Sequence, residues 1–206
     1  IAVELDRNLI APLRAAFKDS GRFLLVEQDA LSVDFGALVG LTPARPERLK
    51  VIANLPYYIS TAILQHLAAQ RSVFSELILM FQREVVARIT APPGTSERGY
   101  LTVLTERAFG VKKLLDVPPT AFRPAPKVWS SVARLTPRPP LPDDDAFNRL
   151  VSAAFSQKRK TIANNLKPAF PKWAEALRSA GIDPKSRAEE LSLDEWERLN
   201  RAVIAA

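Results

Sequence analysis

Apolar residues in this chain fall in short continuous runs separated by stretches of helical periodicity. Ile1 to Leu5, Phe23 to Gln28, Lys50 to Ala53 and Glu76 to Gln82 are four to seven residues long and rich in Val, Ile, Leu and Phe. Runs of that length and composition predict buried strands. Helical spacing follows the first run through Leu9, Leu13, Ala16 and Phe17, and follows the third from Ser60 to Ala69. It also follows the fourth from Arg83 to Ile89, where the Ala-Pro-Pro-Gly of 91 to 94 stops it. A polar, proline-containing loop, Thr42 to Glu47, separates the second run from the third. Tyr100 to Phe109 reads as a helix with Leu101, Leu104 and Ala108 on one face, and Val111 to Val117 as a strand exposing Lys112 and Lys113. Strands and helices in alternation predict an α/β sheet.

The composition changes after Val117. Eight of the 17 prolines lie between Pro118 and Pro142. Phe122 to Lys127 forms a proline-held loop before the alternating strand Val128 to Leu135, and Pro137 to Pro142 reads as a linker. Beyond it the pattern is helical: Asp143 to Phe155, Trp173 to Ala180, and Leu193 to Ala205, the last opened by a capping box of Ser192 and Glu195. The expected division is an α/β domain over residues 1–137 and a small all-α domain over 138–206.

Composition narrows the chemistry. With 47% hydrophobic and 25% charged residues the chain is of the globular kind, and no apolar run approaches a membrane span. The absence of Cys excludes disulfides, thiolate nucleophiles and cysteine zinc sites, and a lone histidine, His66, argues against a histidine metal site or triad. We read His66 as a surface or packing residue. A formal charge of +7 favours a polyanionic partner. Between Ala146 and Trp173 there are six basic residues and no acidic one, among them consecutive Lys158, Arg159 and Lys160, with Asn164, Asn165 and Lys167 close behind. These make a patch of hydrogen-bond donors suited to phosphates, or simply a solvated helix face.

The strand ending at Ala53 runs into Asn54, Leu55, Pro56 and Tyr57. In open α/β sheets ligands sit beyond the carboxyl ends of strands, which puts this turn at the mouth of a site. Asn54 offers an amide oxygen, and Pro56 restricts Leu55 to extended or turn geometry, leaving the Leu55 carbonyl without a local partner. Two acceptors can grip an exocyclic amine by both hydrogens, drawing its nitrogen toward tetrahedral geometry and localising its lone pair for attack. Tyr57 supplies a face on which a nucleobase can stack, and Phe122 could supply the second. The alternative is an ordinary strand and Asn-Pro turn with Tyr57 packed as core and Phe122 tucked under its own loop. Glu4, at the end of the first strand, can accept from ribose hydroxyls, with Asp6 as the helix cap, or it is a plain exposed acid at a strand end; Asp29, followed by Ala30, can accept from an adenine amine.

Six segments, VELD (Val3 to Asp6), EQDAL (Glu27 to Leu31), IANLPYYIST (Ile52 to Thr61), MFQREVVARI (Met80 to Ile89), FRPAPKVWSSVARL (Phe122 to Leu135) and FSQKRKTIANNLK (Phe155 to Lys167), together resemble the ribosomal RNA adenine N6,N6-dimethyltransferase family. The last looks more like the small-subunit enzymes than the macrolide-resistance enzymes that modify large-subunit RNA. The resemblance implies a Rossmann-like class I methyltransferase sheet followed by a helical RNA-binding domain. It implies S-adenosylmethionine-dependent dimethylation of adenines in a small-subunit (16S) rRNA hairpin, naked or within a pre-30S particle. Glu4, Asp29, Ala30 and Asn54 would bind the cofactor. Asn54, Leu55, Pro56, Tyr57 and Phe122 would hold the flipped-out adenine, and Arg123, Lys127, Lys158, Arg159 and Lys160 the RNA. No metal, no membrane, a monomeric state and a cytoplasmic location are expected with it.

One departure matters. The family's first strand, with a glycine-rich turn for the methionine part of the cofactor, has no counterpart here, and the chain opens on Ile1 in what reads as the middle of a sheet. The expectation is an N-terminally incomplete sheet, in a fragment that binds cofactor poorly and is inactive alone. A dinucleotide-dependent oxidoreductase leaves Asn54 to Tyr57 and the basic segment unexplained. A non-catalytic RNA-binding ribosome-assembly factor accounts for the charge and the missing turn.

Overall fold

The computed structural model describes residues 1–41 and 47–206, so the loop expected at Thr42 to Glu47 lies, apart from Glu47, outside the described residues. Among the described residues the strands form two sheets. β1 (Ala2–Val3) and β2 (Leu25–Val26) make a parallel two-stranded ladder flanking α1 (Arg7–Ala16). After α2 (Phe35–Gly40), the chain enters a four-stranded sheet. There β3 (Leu49–Asn54), α3 (Ser60–Ala69) and β4 (Phe74–Gln82) form a parallel unit. Next come α4 (Arg83–Ile89), α5 (Tyr100–Ala108), β5 (Phe109–Val117) and β6 (Ser130–Pro137). β6 inserts antiparallel between β4 and β5, giving the order β3-β4-β6-β5.

The first two strands are far shorter than the five and six residues their apolar runs suggested. Among the described residues each has one neighbour, and besides the ladder only Ala2 N to Leu24 O (2.8 Å) and Glu4 N to Val26 O (3.0 Å) extend the pairing. β5 begins two residues earlier than expected, because Phe109 leaves the helix for an extended conformation and inserts its ring in the core. β6 begins two residues later, leaving Val128 and Trp129 exposed.

Alternation sets which face of the sheet is covered. Leu77, Leu79, Phe81, Ala133 and Leu135 are fully buried beneath the helices, in a cluster that includes Phe35, Leu64, Phe74, Val86 and Phe109. The opposite face carries the cross-strand row Asn54, Met80, Val132 and Leu115 and, one step along, Ile52 beside Ile78. Ile52 is 83% exposed, so among the described residues nothing covers this face at that point, while Ile78, Met80 and Val132 on it are half-buried.

A second cluster gathers α6 (Asp144–Ala154), α7 (Ile162–Leu166), α8 (Trp173–Ala180) and α9 (Leu193–Ala205) around Phe147, Leu150, Leu166, Leu177, Trp196 and Leu199. Trp196 stacks on Phe155 at 5.8 Å. The Ser192–Glu195 capping box opens α9, Thr161 caps α7, and Gly181, at φ +69°, ends α8 in the left-handed conformation that glycine adopts without strain. α5 serves both clusters, giving Leu101 and Ala108 to the first and Val103 to the second.

Three arginines fasten the halves together. Arg107 on α5 donates to Asp143 (2.6 Å) and Asp144 (2.9 Å), lies 3.5 Å from Glu197, and rests on the Phe147 ring at 4.1 Å. Arg71 donates to the same Asp144 and to the carbonyls of Arg138 and Pro139. Arg98, 1% exposed, ties Ala91 O to Leu191 O and pairs with Glu106. Burial alone would raise the Asp144 pKa. The hydrogen bonds from Arg71, the Leu141 amide and Arg107, with the Arg71 charge, outweigh it and hold the carboxyl below its ordinary range.

Candidate active site at the sheet's carboxyl edge

Asn54 is the last residue of β3, paired in register with Met80, and Leu55 N reaches Met80 O at 3.4 Å. The chain then breaks into a turn closed by Ile59 N to Pro56 O (3.2 Å) and by Ser60 Oγ to Tyr57 O (3.1 Å), which starts α3. Within this turn the Leu55 side chain is buried as an anchor, while the Asn54 side chain is exposed. Neither the Asn54 amide nor the Leu55 carbonyl oxygen has a hydrogen-bond partner among the described residues. The two acceptors that the amine-binding reading requires are therefore free.

Tyr57 is half-buried, and its hydroxyl shares a 2.5 Å hydrogen bond with Ser130 Oγ at the start of β6. That bond fixes the ring in direction while leaving part of it accessible. Ser130 is also the register partner of Val117, the end of β5, and five residues on the chain reaches Phe122. Phe122, half-buried, closes a turn of 3-10 helix (Pro119–Ala121) through its amide to Pro119 O, and a cis Arg123–Pro124 bond follows. The ends of β3, β5 and the start of β6 thus bring the Asn54 turn and the Phe122 loop to one edge of the sheet.

The carboxylates stand at the matching end of the smaller ladder. Val3 pairs with Val26, so Glu4 and Asp29 both lie just past the carboxyl ends of parallel strands. One oxygen of Glu4 accepts from the Leu5 and Asp6 amides, both at 2.8 Å, and one oxygen of Asp29 accepts from Leu31 N at 2.9 Å. Each carboxylate is oriented through one oxygen, leaving the other to accept from a ligand. Ala30 is half-buried against the first core, and Asp6 caps α1.

Of the basic residues, Arg123, Lys127, Lys158, Arg159 and Lys160 are all exposed. Lys158 already donates to Ser96 O at 3.0 Å, binding the turn between α6 and α7 to the loop before α5. Asn165 cannot join a phosphate patch: it is buried, with its amide nitrogen on Ala154 O and Gln157 O and its oxygen accepting from Ser156. Its role is to shape that turn. His66 bonds Val33 O at 2.8 Å and packs beside Phe35, a packing role. Sequence reasoning passed over Ser130 and Ser131, both fully buried. Ser131 donates to Asp116 at 2.5 Å; chiefly this bond, and then Lys113, holds the Asp116 carboxyl below its ordinary value. The available signal was two adjacent hydroxyls opening a strand, where a buried polar side chain needs a partner.

Among the described residues no group of His, Cys, Asp and Glu is placed to hold a metal, and no helix is long and apolar enough to cross a membrane.

Two solved structures share this architecture. The 23S rRNA methyltransferase ErmE aligns with a TM-score of 0.67 at 22% identity, over 98% of this chain and 80% of its own. A dimethyladenosine transferase from Plasmodium falciparum gives 0.74 at 24% identity, over 96% and 78%. The fold is that of the class I, Rossmann-like methyltransferases with a helical carboxyl-terminal part. Residues 1–204 match the family described as ribosomal RNA adenine dimethylase. Ribosomal RNA small subunit methyltransferase A of Geobacter metallireducens is 43% identical over 214 residues, spanning 100% of this chain and 77% of the relative. Its namesake in Hahella chejuensis is 44% identical over 202 residues, spanning 96% and 72%. The chain belongs to the ribosomal RNA adenine dimethylase family, as its six motifs indicated.

Proposed function

We propose that this protein dimethylates the N6 nitrogen of adenines in an unpaired stretch of small-subunit rRNA, in the cytoplasm and during ribosome assembly, using S-adenosylmethionine. The observation that carries the reading is the pair of unengaged acceptors, the Asn54 amide oxygen and the Leu55 carbonyl, beside an aromatic ring held by Ser130. Their chemistry matches an aromatic amine with two hydrogens to donate. The adenine ring stacks on Tyr57, with Phe122 as the opposing face, and the energy of stacking offsets the few kcal/mol spent in pulling the base out.

The residues present suit the adenosine part of the cofactor. Glu4 would accept from the ribose hydroxyls through its free oxygen, and Asp29 from the adenine amine, with Ala30 as the apolar floor. When bound, S-adenosylmethionine supplies an electrophilic methyl group. The work of Asn54 and Leu55 is to orient the amine and localise its lone pair, so that positioning and electrostatics provide the acceleration. The nitrogen becomes acidic once alkylated and loses its proton to water, so no strong base is required of the protein.

We assign residues 1–137 to catalysis and 138–206 to holding RNA, with Arg123, Lys127, Lys158, Arg159 and Lys160 as phosphate contacts. The function is tested by incubating the full-length protein and cofactor with small-subunit rRNA or an immature small subunit, then digesting the RNA to nucleosides. N6,N6-dimethyladenosine is the expected product, and its absence with both substrates would sink the reading. Replacing Lys158, Arg159 and Lys160 together by Ala should weaken RNA binding and flatten its salt dependence.

A further inference from the structure

Trp129 is exposed at the edge of the proposed site and is held there. It directly precedes Ser130, the partner of Tyr57, and its carbonyl accepts from the Arg83 amide at 2.9 Å, adding a rung to the β4–β6 pairing beyond Gln82 and Ser130. The backbone is thereby fixed, yet the residue keeps 43% of its surface exposed. The Arg83 guanidinium lies 5.6 Å from the ring centroid and is itself exposed. Arg123 and Lys127 are exposed on the loop that leads into Trp129. Of the nearby acids, Asp116 is bound by Ser131 and Lys113 and also feels the Arg83 charge, and Glu84, next to Arg83 on α4, is exposed.

We propose that Trp129 and Arg83 form a second stacking platform, which binds an unpaired RNA nucleotide neighbouring the target adenine. The proposal rests on the methyltransferase reading above and adds a substrate contact to it. An indole face paired with a guanidinium suits a base, which every nucleotide can present, and Arg83, Arg123 and Lys127 suit the phosphates on either side. An acidic protein surface would satisfy the cations and leave the indole without a planar partner. Extracting one base also strips its neighbour of a stacking partner. A platform beside the pocket replaces that partner and holds the strand open.

The test is a binding titration of the full-length protein with a fluorescent RNA hairpin bearing the unpaired adenines, repeated with an abasic residue on either side of the target. Trp129→Ala should weaken binding to the intact hairpin about tenfold, with little change in salt dependence, because stacking releases no counterions. Trp129→Phe should recover most of the loss. In the wild type, one of the abasic hairpins should bind about as weakly as the intact hairpin binds Trp129→Ala. Should that variant not fold, the wild-type comparison decides alone. Equal binding of intact and both abasic hairpins by the wild type overturns the platform while leaving the proposed activity standing. Failure of the wild type to bind any of the hairpins overturns both.

Discussion

In the helical half, Phe147, Leu150, Val151, Leu177, Trp196 and Leu199 have no exposed surface, whereas α1, near the other end of the chain, buries no residue at all. Leu5, Leu9 and Phe17 around α1 are 60%, 48% and 44% exposed, and the adjoining ladder is two residues long. The difference follows from neighbours. Each helix of the carboxyl-terminal half packs on others around a common core, while among the described residues β1 and β2 pair with each other and touch part of the first core's rim. Glu4 and Asp29, the proposed cofactor ligands, therefore stand on a thinly packed part of the described residues. The Asn54 turn stands on a well-supported sheet with one face open at Ile52.

Paired truncations in the two regions should differ most in their effect on stability. Trp196→Ala should cost about 4 kcal/mol in urea unfolding, since it empties a fully packed site. Phe17→Ala removes a ring stacked at 4.3 Å on Phe23 in the open and should cost less than about 1 kcal/mol. Equal losses would refute the difference in support. Next in size is Arg107→Ala, which leaves Asp143, Asp144 and Glu197 facing one another across the junction. A loss of about 3 kcal/mol is expected by the same measurement. Arg107→Lys should recover only part of it, because a point charge cannot reproduce the paired bonds to both aspartates.

A smaller effect separates the junction from both halves by pH. The Asp144 carboxyl has a folded-state pKa below its ordinary value of 3.8, so the folded state binds fewer protons than the unfolded state near and below that value. Its contribution is present above the ordinary value and is lost as pH falls through the depressed one. Unfolding free energy should decline with acid in that window, and less steeply in Asp144→Asn. An identical slope would show that other carboxyls govern the acid limit.

The parts of the fold that were legible are those with local causes. The strand Phe74–Gln82 announced itself by the apolar run from Glu76, Ser60–Ala69 by its helical spacing, Arg83–Ile89 by the Ala-Pro-Pro-Gly that stops it, and Leu193–Ala205 by its capping box. The strands at the amino-terminal edge came out shorter because strand length depends on a neighbour, which a linear sequence does not display. Asn54 and Tyr57 stood out because a turn after a buried run has few purposes. Arg71, Arg98 and Arg107 did not, since nothing in the local pattern separates a buried arginine from a solvated one; their partners lie as far as Leu191 and Glu197. Asn165 was misjudged for the same reason, as its partners are carbonyls of a turn that had no visible shape.

The role of the Asn54 turn is tested by comparing Asn54→Ala with wild type in the full-length protein, measuring methyl incorporation into the RNA and RNA affinity side by side. Methylation should be abolished with little loss of binding, because the Asn54 amide is proposed to grip the reacting amine and to contribute little to holding the strand. Methylation at the wild-type rate would contradict it and leave an RNA-binding assembly factor as the better description of this turn.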